Sequence, residues 1–353
     1  MTTISIPKLT ALATAVPENF ILQDDVIEIT DGIFNPHFDN YAKLRSVFAN
    51  AGIYKRHIAM PVEWYLEARD WQDRTDVYLE HATSLFVQAA QEALEQANLR
   101  GQDIDAVITV SSTGIATPSL EAQAAQVLGL RNNILRIPIF GTGCFGGVAG
   151  LTLAERVAKS KPNYNVLLVA VELCTMSFRL DKTTSANVVA TALFGDGAAA
   201  AVVSTYPKNT GLELGAGYQH MWPDTLNVMG WKVDPNGFEV IFDRAIPPFA
   251  RRHVRPAIEG FLGDMCLPLS RLSRLTFHPG GMRVLEALEV ALELHPGVLD
   301  HEREVLRDYG NMSSPTVLFV LQNCIKAGLQ GESLVSALGP GFTVASIPIK
   351  AVS

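Results

Sequence analysis

Three short segments carry the side chains of this chain that are suited to chemistry. G-T-G-C-F-G-G sets Cys144 in a glycine turn, F-H-P-G-G sets His278, and Y-G-N-M-S-S sets Asn311. Each stands where a short apolar run gives way to a glycine-rich turn and then a helix-forming stretch. A thiol can attack a thioester and carry its acyl group, and an imidazole beside a carboxamide can donate to an oxyanion or enolate. A cysteine at a helix N-terminus feels the positive end of the helix dipole, and a nearby imidazolium lowers its pKa further. A thiolate populated near neutral pH is therefore expected at Cys144. Each residue also has a plainer reading. A free cysteine is usually a small buried hydrophobe, a lone histidine is commonly a hydrogen-bonded core residue, and an asparagine is a good helix N-cap. It is the joint occurrence of the three contexts that points to acyl transfer. Cys174, Cys266 and Cys324 lie in apolar stretches and are given no role.

The same residues fit three other patterns less well. Gly141, Gly143 and Gly146 form G-x-G-x-x-G between a strand and a helix, with Glu172 ending the next strand. That is close to a dinucleotide fingerprint, and it leaves an NAD-dependent oxidoreductase as a remote alternative. It accounts for neither H-P-G-G nor G-N-M-S-S. The hydrolase elbow fails because Thr142 takes the place of its first glycine. Asn311-Met312-Ser313 is a glycosylation sequon, which needs a secretory route. The N-terminus M-T-T-I-S-I-P-K-L-T lacks a basic then apolar leader, so no signal peptide is expected.

The elements that must position these groups alternate along the chain. Helical periodicity covers 79–99, and 104–111 reads as a strand leading to a second helix at 120–128. A strand at 133–140, the glycine turn and a helix at 144–158 follow. The run 165–171 is continuously apolar after Asn165, as a strand covered on both faces would be. The turn at 194–197 leads to a strand at 198–203. The second half echoes this order: a strand at 275–277, helices at 282–292 and 315–326, and strands at 334–338 and 342–349. Cys144 and Asn311 thus fall at equivalent points, each before a buried helix. A boundary near 207–211 divides the chain into halves 1–207, with the cysteine, and 208–353, with the histidine and asparagine. Alternating strands and helices imply an α/β protein.

Composition agrees. Of 353 residues, 48% are hydrophobic and 18% charged, enough apolar material for a large core. The net charge of −8 argues against a nucleic-acid surface. Four widely spaced cysteines, without C-x-x-C, speak against a zinc site or disulfide framework. No apolar run is long enough to span a membrane. A reduced, cytoplasmic protein without stable membrane insertion is expected.

Longer segments add a resemblance over nearly the whole chain, strongest from residue 104 to 352. A-L-F-G-D-G-A-A-A at 192–200, R-E-V-L-R-D-Y-G-N-M-S-S at 303–314 and L-G-P-G-F-T-V at 338–344 resemble the type III polyketide synthases, the chalcone synthase superfamily. The resemblance implies the thiolase-like duplicated fold, layered α-β-α-β-α. It implies Cys144 as nucleophile, with His278 and Asn311 binding the thioester oxygen. Phe194 matches a gatekeeping phenylalanine between a CoA tunnel and the cavity, and Val240 stands where the family has a second phenylalanine. Ser112, Thr113, Ser177, Trp231 and Gly339-Pro340-Gly341 fall at cavity-lining positions. Thr117 matches a residue reaching into a partner subunit, which implies a homodimer. Lys43, Arg45, Lys55, Arg56 and Arg283 are candidates for the CoA phosphates at the tunnel mouth. Acyl-CoA and malonyl-CoA are the implied substrates, with no metal and no resident cofactor. Ketoacyl-ACP synthase III shares the Cys-His-Asn set, but its residues after the His and Asn usually differ. The segment H-M-W-P-D-T-L-N-V-M-G-W-K-V-D-P-N-G-F-E-V-I-F-D-R at 220–244 is similar to bacterial alkylresorcinol and alkylpyrone synthases, which implies medium-to-long fatty acyl starters. A type III synthase with a small starter is the alternative.

Overall fold

The computed structural model describes residues 6–351. A short antiparallel contact joins its two halves: Lys8–Ala15 pairs with Leu212–Leu214 through Lys8 opposite Glu213 and Leu9 opposite Leu212. Outward from Lys8–Ala15 come Asp196–Ser204, Asn165–Leu173, Ala106–Val110 and Leu135–Ile139. Outward from Leu212–Leu214 come Thr343–Ala351, Gly331–Gly339 and Arg274–Phe277. On both sides the first two pairings are antiparallel and the third is parallel. The second half thus repeats the first, one edge strand short. Tyr218–Met221 adds to Thr343–Ala351 to complete a ten-stranded sheet.

Two helices fill the space between the halves. Gly146–Lys159 packs on strands of both, and so does Thr316–Lys326. Their buried faces, including Val148, Leu151, Val317 and Leu321, share one core with strand residues Ile108, Leu168, Val335 and Ile347. Outer helices close the stack. Trp71–Gln96 covers the first half, and Ile246–Asp264 with Met282–Leu292 covers the second. The arrangement is the expected α-β-α-β-α layering.

Local chemistry sets the main departures from the expected boundaries. The first long helix starts at Trp71 rather than 79 because Asp70 and Asp73 form a capping box, with Asp73 N donating to Asp70 Oδ1 at 2.9 Å. Its inward residues Ala82, Ala89, Ala90 and Ala93 are small, so it lies close against the alanine-rich strand Asp196–Ser204. The helix expected from 144 begins instead as a tight turn, Gly143–Phe145, and becomes α-helical at Gly146. The helix Ser185–Leu193 and the separate hairpin Met229–Asp234 with Gly237–Phe242 were not anticipated. No helix among the described residues is long and apolar enough to cross a membrane.

Candidate active site

The turn that carries Cys144 is held from three sides. Gly143 adopts φ +50°, and a Cβ there would lie 2.8 Å from the Pro340 ring. A Cβ at Gly147 would lie 2.3 Å from the Ser314 carbonyl. Only glycines let the turn seat against the second half in this way. From beneath, Ser112 Oγ accepts from the amides of Gly141 and Gly143, each at 3.1 Å. The first turn of the following helix is therefore packed against protein, which leaves no open cradle for a dinucleotide pyrophosphate.

His278 follows the strand Arg274–Phe277, and its amide donates to Ser336 O at 2.9 Å. Both ring nitrogens are buried and, among the described residues, have no hydrogen-bond partner. Unpaired polar atoms in a core are costly, so an imidazole free on both sides is suited to a ligand. Asn311 caps no helix. The next helix starts at Thr316, and Asn311 Oδ1 accepts instead from Ser313 N at 2.8 Å. Its Nδ2 donates to Gly280 O at 3.1 Å. The Asn311 amide donates to Leu193 O at 2.8 Å, and Gly195 N donates to Asn311 O at 3.1 Å. The backbone carrying Asn311 is thereby tied to the backbone carrying Phe194.

Cys144, His278 and Asn311 line one cavity of ≈ 450 Å³. All three are buried, at 7%, 4% and 1% exposure. Burial pushes the Cys144 thiol up to about 11, against weaker hydrogen-bonding help from Ser313 and Asn311. Burial alone pushes His278 down to about 3. This corrects the expectation of a thiolate held ready by the helix dipole. Burial thus penalises each ion, and neither ring nitrogen of His278 is hydrogen-bonded to the Cys144 thiol among the described residues.

Beneath the turn lies Glu172, fully buried. It accepts from Ser112 N, Thr113 Oγ1 and Ser314 Oγ, each at 2.8 Å. Burial raises its carboxyl to about 7 despite these donors. In sequence Glu172 had drawn notice only as the acid of a dinucleotide fingerprint.

The other expected residues divide. Ser112 and Thr113 are buried against Glu172 and the Cys144 turn, not on the wall of the Cys144 cavity. Gly339 packs on Phe145, and Pro340 on Gly143. Phe194 sits in an apolar group with Val240, Trp231 and Phe242, its ring 5.8 Å from Trp231 and 5.6 Å from Phe242. Met229 and Phe242, at the base of the hairpin, line the Cys144 cavity; neither was singled out in sequence. Ser177 lines a second compartment with Phe194 and Cys174, of ≈ 90 Å³ and mostly apolar, walled by Ile21, Val26, Ile58 and Phe178. Thr117 lies exposed in a loop.

Of the basic candidates, Arg283 is exposed and lines the cavity, as does Arg244, which sequence reading missed. Lys43 is exposed on the helix Tyr41–Ala49, whose Ser46 and Val47 also line the cavity. Arg45 is paired with Asp31 at 2.9 Å, and Lys55 lies over the Phe20 ring. Arg56 is not at the mouth. It is 2% exposed, and its Nη1 donates to Thr191 O at 2.6 Å. Among the described residues, no cluster of histidine, cysteine or carboxylate side chains is suited to hold a metal ion.

Residues 5–207 match the N-terminal domain of the chalcone and stilbene synthases, and residues 213–353 match their C-terminal domain. The chain is 37% identical over 342 residues to the 1,3,6,8-tetrahydroxynaphthalene synthase of Streptomyces peucetius subsp. caesius, covering 94% of this chain and 90% of that protein. It is 30% identical over 357 residues to type III polyketide synthase C of Arabidopsis thaliana, covering 94% and 92%. The crystal structure of the tetrahydroxynaphthalene synthase of Streptomyces coelicolor A3(2) superposes with a TM-score of 0.93 at 30% identity, over 98% of this chain and 99% of that one. With its layered fold and a cavity where thiol, imidazole and carboxamide meet, the chain belongs to the chalcone and stilbene synthase family and is a type III polyketide synthase.

Proposed function

We propose that Cys144 takes a medium-to-long fatty acyl group from acyl-CoA, and that extension with malonyl-CoA and ring closure give an alkylpyrone or alkylresorcinol. The thiol proton passes to His278 as Sγ attacks the thioester carbon, and then to the departing CoA thiolate. Malonyl-CoA loses carbon dioxide, and the enolate oxygen is held by His278 and the free N–H of Asn311. The enolate carbon attacks the Cys144 thioester; the C–C bond forms, the C–S bond breaks, and Cys144 is released as a thiolate. Arg283 and Arg244 at the mouth have the charge to meet CoA phosphates.

The observation offered for the fatty acyl reading is the mostly apolar compartment lined by Phe194, Cys174 and Ser177. A buried methylene contributes roughly 0.8 kcal/mol of transfer free energy, so a tail gains by filling it. A second reading has specific support. Two relatives, at 37% and 32% identity, are 1,3,6,8-tetrahydroxynaphthalene synthases, and a product of that name has no alkyl tail, which favours a small starter. Mass spectrometry of products from malonyl-CoA alone and with starters from acetyl- to stearoyl-CoA, p-coumaroyl-CoA included, separates the two. Efficient product from malonyl-CoA alone, unchanged by long starters, overturns the fatty acyl reading.

A homodimer is proposed with it. Leu135–Ile139 is a sheet edge, and Leu135 at its start and Phe140 just past its end are 47% and 56% exposed. Pairing of such an edge across a two-fold axis would cover them. Sedimentation equilibrium reads the outcome, and a monomer at micromolar concentration overturns it.

A further inference from the structure

The hairpin that walls the cavity belongs to neither half of the main sheet. Its strands Met229–Asp234 and Gly237–Phe242 pair only with each other. Three cross-strand pairs share one face: Met229 with Phe242, Trp231 with Val240, and Val233 with Phe238. From this face Trp231, Val240 and Phe242 reach Phe194. The alternate positions carry Asp234 and Glu239 instead.

Those two carboxylates meet a basic pair. Arg179 Nη1 donates to Asp234 Oδ1 at 3.0 Å, and Lys182 Nζ lies 2.9 Å from Asp234 Oδ2 and 3.1 Å from Glu239 Oε2. The guanidinium also grips Asp181, at 2.6 Å from Nε and 2.5 Å from Nη2. Arg179 is 1% exposed, so it is a fixed post and not a surface tether. Hydrogen bonds from these donors hold the Asp234 carboxyl well below the usual range, so the charges persist at any ordinary pH.

The post is tied in turn to the gate. Asn187 Nδ2 donates to Arg179 O and to Lys182 O, both at 2.8 Å. Asn187 lies in the first turn of the helix Ser185–Leu193, whose last residue precedes Phe194. One short helix thus carries the clasp at its start and the Phe194 ring at its end. The hairpin wall and the facing ring are held as a single body.

We propose that Arg179, with Lys182 and Asp234, is a positioning clasp that sets the gap between Phe194 and the hairpin, and thereby which acyl chains pass. The proposal rests on the reading that an acyl chain crosses this gap, but its first test does not. Asp234→Ala releases the hairpin tip and leaves the Arg179–Asp181 pair intact. Acrylamide quenching reports the Trp231 ring, with Trp231→Phe variants as the background for the other tryptophans. We expect at least a twofold rise in the Trp231 quenching constant in Asp234→Ala, reversed in Asp234→Glu. Products from malonyl-CoA with the acyl-CoA series should spread over more chain lengths and condensation numbers. The preference between the best and the next longer starter should change at least fivefold through KM. Alkylation of Cys144 by iodoacetamide should stay within twofold of the parent.

Unchanged quenching overturns the clasp whatever the substrate proves to be. Raised quenching with an unchanged product spectrum overturns its role in selection. If the enzyme proves to use malonyl-CoA alone, the fatty acyl reading falls, and the spread of condensation numbers still decides the clasp. Should Asp234→Ala not fold, Lys182→Met removes one side of the clasp from a partly exposed position, and the same two readouts apply.

Discussion

The hydroxyl of Ser112 accepts from the amide of Gly143 at 3.1 Å, one residue before Cys144. Ser112 is therefore part of the mount of Cys144. Ser112→Ala strands the Gly141 and Gly143 amides, and an unpaired buried donor costs about 1–3 kcal/mol. We expect a lower Tm and a fall in kcat with starter preference unchanged. Calorimetry and the acyl-CoA series check this; a shift of the preferred tail length would return Ser112 to the cavity wall.

His278 and Cys144 should titrate as a pair. With a neutral ring beside it the thiol is pushed up to about 11, whereas proton transfer gives a thiolate with a partner. His278→Ala removes that route. Its iodoacetamide profile should retreat to the alkaline limb, while the parent reacts at lower pH. Coincident profiles would show that the ring leaves the thiol untouched.

Asn311→Asp keeps the acceptor for Ser313 N and deletes the donors. Loss of one oxyanion-hole donor typically costs about 10²–10³ in rate. Release of carbon dioxide from malonyl-CoA should fall by that order, with Cys144 alkylation retained. Decarboxylation at the parental rate would reduce Asn311 to the residue that closes its own turn.

Glu172 gives the pH prediction. Its carboxyl is raised from 4.5 to about 7 by burial. Between those values the native chain holds a proton that the unfolded chain has released. Stability is then complete below the unfolded value and is lost as pH rises through about 7. Glu172→Gln removes this dependence and leaves that of His278, so the difference between the two proteins isolates it. The parent should lose stability relative to the variant from about pH 4.5 to 7, the interval between the unfolded and native values, measured as urea midpoints. Parallel curves would place the Glu172 pKa near its ordinary value.

What was legible in sequence was what local pattern controls. The glycines at 141, 143 and 146 announce a turn before a helix, and the unbroken apolar run that follows Asn165 up to Val171 announces a covered strand. The contexts of Cys144, His278 and Asn311 were readable because each joins a chemically capable residue to turn chemistry. Arg56 was misplaced because Lys55-Arg56-His57 looks like any basic surface stretch; only its bond to Thr191 O, 135 positions away, reveals that it is internal. The hairpin clasp was hidden for a like reason. Arg179, Asp181 and Lys182 look like a solvated loop until Asp234 and Glu239 are folded against them. Ser112 and Thr113 carried a family position but no local sign of which way they turn, and Glu172 fixed that from 60 and 59 residues away.

Cys144 is delivered by the first half, while Ser314, which packs on its turn, and Pro340, which roofs it, come from the second. During synthesis the thiol emerges long before its cover. A nascent chain stalled before residue 278 would present an unshielded sulfur with no His278 imidazole to activate it and no walls to exclude peroxide. The enzyme becomes competent and protected in the same event, the docking of its last third.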